Sequence, residues 1–285
     1  MELSRAERLD QYVVRYQPLL SRSGAVRLIE AGGVLVNGQA QVKAGYKVRE
    51  TDAIVINFDE KQHAEIPEIE LPVIFENKDV VVINKPAGIL THSKGGFNPE
   101  ATVATWLRSR LAKGYDPGDN QRAGIVHRLD RATSGVMICA KTPEALSWLQ
   151  KQFSQRKVKK TYQAVVNGQP SPAQAVIDMP IERNPRKPQT FRVGPNGKTA
   201  QTAYRVIAHG DHNSLVELKP QTGRTHQLRV HLSQLGYPIV GDVLYGGPEA
   251  DRLYLHAESL ELTLPNRDRK VFTAPTPVIF QERVQ

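Results

Sequence analysis

Between Asp59 and Pro72 the chain turns acidic and proline-bearing, with Glu60, Glu65, Pro67, Glu68 and Glu70 in close succession. Such a stretch has little apolar surface to bury and reads as a linker between folded parts. A chain of 285 residues accommodates two domains at about 100–200 residues each. The expected organisation is therefore a small domain over 1–58, a linker over 59–72 and a larger domain over 73–285. At this length folding hides about 75% of the surface of the unfolded chain, so no disulfide or metal is needed for stability.

The leading segment reads as two helices followed by short strands. Leu9, Tyr12, Val13 and Tyr16 recur at helical spacing. Ser21 is placed to cap a second helix with Val26 and Ile29 on its apolar side, and Gly32 and Gly33 stop it. Val34 to Gly38 supplies a strand entering an Asn-Gly turn, and Ala53 to Asn57 alternates as a strand does. In the larger segment, strands are expected at Val80 to Asn84, Gly135 to Ala140, Thr161 to Val166, Ala203 to Ala208 and Ser214 to Leu218. Thr142 with Pro143 begins a helix carrying Leu146, Leu149 and Phe153, and Asn98-Pro99 begins another through Val103, Trp106 and Leu107.

The formal net charge is +9 and the pI is near 9.6, a balance that attracts polyanions without distinguishing nucleic acid from a membrane or an acidic protein. Arg156, Lys157, Lys159 and Lys160 form one basic stretch, and Arg183, Arg186, Lys187 and Arg192 a second. A solvated face and an RNA-contacting face both fit such runs. The single cysteine, Cys139, lies in an apolar run, as a buried thiol does, and fits a reducing compartment. No apolar run is long enough to span a bilayer and the first ten residues lack the apolar core of a signal peptide, so the expected location is the cytoplasm.

The densest chemistry lies in Gly124-Ile-Val-His-Arg-Leu-Asp-Arg-Ala-Thr-Ser-Gly135, where charged and hydroxyl groups sit between apolar runs, as at a site built on a strand end. Arg128 and Arg131 flank Asp130, an arrangement that keeps a nucleophilic carboxylate ionised, although by itself such a pattern is more often a structural salt bridge. Metal catalysis fits poorly. His226 and His231 lack the metalloprotease helix spacing, and one cysteine cannot build a zinc knuckle. His127, His92 and His256 read as hydrogen-bonding residues, and Asp116 and Asp119 as parts of a Pro-Gly turn.

Ser21-Arg-Ser-Gly-Ala-Val-Arg-Leu-Ile-Glu-Ala-Gly-Gly-Val-Leu-Val-Asn-Gly38 resembles the S-four-type, or alpha-L, RNA-binding domain. By that resemblance Arg5, Arg8, Arg22, Arg27 and Lys43 face RNA phosphates, contacts that give affinity and not sequence choice; solvated helix arginines are the alternative. His127-Arg-Leu-Asp-Arg-Ala-Thr-Ser-Gly135 resembles the signature of RluA-type pseudouridine synthases. Blocks beginning at Asn84, Lys160, Thr222, Gly241 and Leu255 follow in the family's order. The implied fold is α+β: a catalytic domain on a mixed, largely antiparallel sheet, preceded by the small α/β RNA-binding domain. Ser93 and Leu264-Pro265 depart from common family residues, which bears on subfamily and substrate and not on reaction class.

The resemblance implies an isomerase that acts on uridine in structured RNA, ribosomal RNA first and transfer RNA second, as a monomer, without cofactor or metal. Asp130 is the implied nucleophile, Tyr162 stacks on the base and assists removal of the C5 proton, and Arg224 pairs with Asp130. Leu228 walls the pocket, while His127, Arg128 and Arg131 hold substrate. Gly223 lets the backbone bend so that Arg224 points into the cleft. Each residue has a plainer reading: Tyr162 and Leu228 as core residues, Arg224 as an ordinary turn arginine. Base flipping is expected, with Arg131 either filling the vacated space or holding a phosphate. A non-catalytic RNA-binding or ribosome-assembly factor of the same fold is the competing function.

Overall fold

The computed structural model describes residues 6–18, 20, 22–58, 67–93, 100–115, 122 and 124–285. Arg5, Ser21, Asn98, Pro99, Asp116 and Asp119 lie outside the described residues. Two compact units divide the chain: Met1–Ile69 with His92–Arg108 and Asp116–Ala123, and Glu70–Thr91 with Ser109–Tyr115 and Gly124–Gln285.

The first unit opens with β1 (Glu7–Arg8), α1 (Leu9–Tyr16) and α2 (Arg22–Glu30), followed by β2 (Val34–Val36), β3 (Gln39–Ala40), β4 (Lys47–Val48) and β5 (Ile54–Ile56). Leu9 and Val13 of α1, Ala25 and Ile29 of α2 and Val34 and Val36 of β2 share one buried core, so the helical spacing of the apolar residues is used as expected, while Tyr16 is exposed. Asn37 and Gly38 both have positive φ, 51° and 81°, the requirement of a tight turn between twisted antiparallel strands. Asn37 also binds the Asp52 carboxylate and the Ala53 N–H through its side chain.

The second unit is sheet-dominated. Its elements are β6 (Val73–Glu76), β7 (Val80–Lys85), β8 (Ser134–Ala140), α4 (Pro143–Ser154), β9 (Lys159–Asn167), β10 (Gln174–Asp178), β11 (Ile181–Arg183), β12 (Phe191–Val193), β13 (Gln201–His209), β14 (Asn213–Pro220), α5 (Gln227–Gln234), β15 (Leu255–Thr263), β16 (Arg269–Thr273) and α6 (Ile279–Glu282). The chain's third helix, α3 (Val103–Arg108), belongs to the first unit. A nine-stranded sheet runs β10-β13-β14-β9-β15-β8-β7-β6, with β16 on β15. Its pairs are antiparallel except β15 with β8, which agrees with the mixed, largely antiparallel sheet that the sequence implied.

Each expected strand forms, because each apolar run meets a partner in register. β8 is buried at all seven positions, as a strand covered on both faces must be. Gly135, its second residue, has φ 119°, and a Cβ there would stand 2.2 Å from the Ala257 carbonyl oxygen; only glycine permits the parallel approach of β15. Cys139 is buried within β8, which pushes its thiol up to about 12 and keeps it a packing residue. Thr142 caps α4 by accepting the Ala145 N–H at 3.1 Å. Buried residues of β9, β14, β15, α5 and α6, among them Val165, Val216, Leu255, Leu232 and Phe280, form the core behind the site.

Candidate active site

Asp130 sits in the loop before β8, and that loop is tied to the loop after β7. Lys85, fully buried at the end of β7, donates to the carbonyls of Pro86 at 2.7 Å, Ile89 at 2.8 Å and Arg131 at 3.3 Å. Thr91 Oγ1 donates to the Leu129 carbonyl at 2.8 Å, and the Gly88 N–H donates to that of Arg131 at 2.8 Å. The backbone on both sides of Asp130 is therefore held by neighbours in space, which fixes the carboxylate without tethering its oxygens. Burial pulls the Lys85 ammonium down to about 8, against the opposing charge of Asp130.

The other wall comes from the turn between β14 and α5. Thr222 Oγ1 donates to Gln227 Oε1 at 2.7 Å, and the Arg224 N–H reaches the same oxygen at 3.0 Å. Gln227 Nε2 in turn donates to the Gln201 carbonyl and Thr202 Oγ1, both at 3.0 Å. The left-handed residue of this turn is His226, with φ 57°. Gly223 has no such φ, and a Cβ on it would meet only Lys160 Nζ at 3.9 Å. The expectation that Gly223 supplies the bend is thus corrected: the bend is stored in a histidine held by the Gln227 network, the kind of local strain that surrounding structure must compensate.

The expected Arg224–Asp130 pair is also corrected. Arg224 Nε donates to the Thr199 carbonyl at 3.0 Å, whereas Arg229, in the first turn of α5, places Nη1 3.6 Å from Asp130 Oδ2. Arg229 is buried and its Nε and Nη2 each stand 2.7 Å from an Asp242 carboxylate oxygen. Its guanidinium also lies 4.9 Å over the Tyr245 ring. Burial opposes its charge, but the paired Asp242 outweighs that and holds the pKa above its ordinary value. The helix decides the choice: position 229 points inward beside Leu228, while 224 lies in the turn before the helix.

His226 Nε2 is 3.8 Å from Asp130 Oδ2. Tyr245 Oη accepts the Phe191 N–H at 2.9 Å and stands 2.7 Å from His226 Nδ1. The Tyr245 hydroxyl can donate to Nδ1 while accepting from Phe191, an arrangement that leaves the imidazole proton on Nε2, facing Asp130. Burial, only partly opposed by Asp130, lowers the His226 pKa and favours the neutral ring.

A cavity of about 120 Å³ opens over Asp130, walled by Tyr162, Leu228, Arg229, His226, Thr222 and Leu255 among others. Tyr162 is partly buried in β9, in register with Leu218 of β14 and Ala257 of β15. Burial first, and the Asp130 charge second, push its phenol pKa upward. Leu228 serves both readings at once, lining this cavity and packing in the core.

A second cavity, of about 510 Å³, shares Arg128, Lys160, Tyr162, Thr222, Gly223 and Arg224 with the first. Arg128 lines both. Arg131 lines neither; its Nη1 donates to the Gly88 carbonyl at 3.4 Å. His127 lies in the second cavity, its ring stacked 4.7 Å from Phe153 and its Nε2 accepting the Ile138 N–H at 3.1 Å. Burial lowers its pKa to about 3, so it is a neutral wall.

In the first unit, the buried carboxylate of Asp10 binds Arg8 Nε and Arg22 Nε, both at 2.9 Å. It aligns two exposed guanidiniums that the sequence had associated with RNA. Arg27 and Lys43 are exposed.

Arg229, His226, Lys85, Asp242 and Lys160 were not singled out for these positions from sequence. All five lie inside the motif blocks, which is the signal that marks them, but a block does not say which of its residues face one another.

Matches to known proteins place the chain in a family. A family model described as RNA pseudouridylate synthase matches residues 79–234, and one described as S4 domain matches residues 7–54. The chain is 42% identical over 291 residues to an uncharacterized RNA pseudouridine synthase of Chloroflexus aurantiacus, covering 97% of this chain and 88% of that one. It is 37% identical over 278 residues to ribosomal large subunit pseudouridine synthase D of Escherichia coli K12, covering 91% and 83%. The solved structure of human RNA pseudouridylate synthase domain containing 1 superposes with a TM-score of 0.61 at 31% identity, over 73% of this chain and 84% of that one. With one model matched over more than half its length and relatives aligned along nearly all of it, the chain belongs to the RNA pseudouridylate synthase family, carries an S4 domain at its front, and is an isomerase.

Proposed function

We propose that this isomerase converts uridine to pseudouridine in ribosomal RNA, with Asp130 as its nucleophile. The single observation that carries the reading is a carboxylate held at the floor of a small cavity between an inward arginine, Arg229, and an aromatic ring, Tyr162. The substrate assignment leans on the Escherichia coli relative, whose name specifies the large ribosomal subunit.

In the proposed reaction the N1–C1′ bond breaks, the uracil turns, C5 bonds to C1′, the C5 proton leaves and N1 gains one. Atoms balance without a cofactor. Asp130 supports cleavage and rejoining, while Arg229 offsets charge beside it. Tyr162 stacks on the base; its raised pKa argues for stacking rather than for a tyrosinate that collects the C5 proton. Leu228 excludes water. Arg128, with His127 as a neutral wall, holds the adjoining RNA, and Arg224 extends the basic rim. Arg131 is assigned a phosphate contact at the outer edge. Arg8, Arg22, Arg27 and Lys43 give the S4 domain its phosphate contacts, with Arg5 assigned on sequence alone. We further assign the protein to the cytoplasm as a monomer, with a linker over 59–72 joining the RNA-holding segment 1–58 to the catalytic segment 73–285.

The test is pseudouridine mapping across ribosomal and transfer RNA from cells with and without the gene, followed by addition of purified protein and of Asp130→Asn. The expected result is loss at discrete ribosomal uridines, restored by the wild type and not by the variant, which still binds the RNA. Loss confined to transfer RNA would overturn the substrate, and turnover by Asp130→Asn the nucleophile.

A further inference from the structure

The wall between the two cavities carries a cation that the reaction does not use. Lys160 opens onto both cavities from the start of β9, and its ammonium donates to the Thr222 carbonyl at 3.0 Å. Among the described residues no carboxylate stands within ion-pair distance of it. Burial lowers its pKa to about 8, the mark of a positive charge taken from water without a counter-charge. Lys85 solves the same problem with three carbonyls, whereas Lys160 has one.

The rest of the larger cavity repeats the pattern. Arg128, Arg156 and Arg224 line it and no acidic residue does. Arg156 closes α4 in the left-handed conformation, φ 57°, with its N–H on the Phe153 carbonyl and that of Lys157 on Gln152. Glycine is the usual residue there; here an arginine takes the position on the cavity wall. The neutral His127 contributes no charge of either sign. A volume about 510 Å³, lined by four cations and joined to the catalytic cleft by a common wall, suits an anion physically continuous with whatever occupies the cleft. A base flipped into that cleft stays attached to its own phosphodiesters.

We propose that the larger cavity receives the phosphodiester and the nucleotide next to the target uridine on one side, with Lys160 facing that phosphate and Arg128, Arg156 and Arg224 around it. This rests on the reading that the Asp130 cleft holds the target. Lys160 is then a substrate-binding residue for the flanking nucleotide, and its missing counter-charge arrives with the RNA.

The experiment uses the full-length protein and a stem-loop RNA, ribosomal or transfer, around a uridine identified by mapping. One methylphosphonate, which removes a single backbone charge, replaces either the phosphate 5′ or the phosphate 3′ to that uridine. Binding is measured by fluorescence anisotropy for Asp130→Asn and for Asp130→Asn carrying Lys160→Met or Arg156→Gly, the last chosen because glycine suits the left-handed position. At one of the two sites the neutral linkage is expected to weaken binding about tenfold in the Asp130→Asn protein and less than threefold once Lys160→Met is present. Equal losses in both backgrounds at both sites would overturn the proposal, as would Lys160→Met and Arg156→Gly proteins that are folded and bind the unmodified RNA as tightly as their parent. Because binding is read without turnover, failure of Asp130 as nucleophile appears separately, as isomerisation by Asp130→Asn.

Discussion

Arg229 Nη1 stands 3.6 Å from Asp130 Oδ2, and it is held there because the other two nitrogens of the same guanidinium are bound to Asp242. The planar fork of arginine allows one side chain to be anchored by one carboxylate while presenting a free edge to another. Anchoring and charge complementarity are thus separate tasks, and they separate under mutation.

Asp242→Leu leaves a buried guanidinium without its anchor and is expected to lower stability by about 3–5 kcal/mol. The double variant Arg229→Met with Asp242→Leu should regain most of that loss yet stay inactive. Urea unfolding with a single-turnover assay checks both statements, and an active double variant would remove Arg229 from the chemistry.

The Tyr245 hydroxyl is the hydrogen-bond partner of His226 Nδ1. Tyr245→Phe is expected to lower kcat by up to about tenfold, the size of one lost hydrogen bond, with KM nearly unchanged. His226→Phe should lower it further. An unchanged kcat in both variants would show that the ring only fills space.

Lys85 and Lys160 have folded pKa values of about 8, below the ordinary 10.5. Between those values the unfolded chain binds more protons, so the two lysines make stability rise with pH through that window and penalise the fold below it. Tyr162, with a raised folded pKa, acts in the opposite direction as pH passes 10. Unfolding free energies measured from pH 8 to 10 should therefore climb more steeply for wild type than for Lys85→Met. Identical slopes would refute the assignment.

The S4 domain's basic residues predict salt dependence. Arg27→Ala and Lys43→Ala should each reduce the slope of log affinity against log salt by about 0.7–0.9, as expected for one lost phosphate contact. Filter binding at several salt concentrations reads this directly; unchanged slopes would mark both as solvated surface residues.

Gly135→Ala introduces a Cβ 2.2 Å from the Ala257 carbonyl at a φ of 119°. The backbone on both sides must move, and a loss on the order of 3 kcal/mol or more is expected. Thermal unfolding tests it: a Tm within about 2 °C of wild type, too small a shift for such a loss, would mean that β8 and β15 separate without cost.

Local features were legible where neighbouring residues alone decide the outcome. Thr142-Pro143 announces α4, Asn37-Gly38 a turn, and the run from Gly135 to Ala140 a buried strand, since capping, positive φ and continuous apolarity act within a few residues. The segment around Asp130 was legible for another reason: its residue pattern resembles a known family closely enough to mark the reaction class. β15 was missed as a strand although Leu255, Leu260 and Leu262 are buried in it, because its partners β9 and β8 are distant in sequence and strand pairing is a long-range property.

From the amino-acid order, through the family resemblance it carries, came the reaction class and the mixed sheet, and with them the candidates Asp130, Tyr162 and Leu228. Only the tertiary structure decided that Arg229 rather than Arg224 meets Asp130, that His226 rather than Gly223 bears the left-handed turn, and that Lys160 has no carboxylate beside it among the described residues. Spacing along a chain specifies which side of a helix or strand a residue occupies. Which charges face one another depends on how β7, β8, β14 and α5 converge, and on how much water that convergence removes.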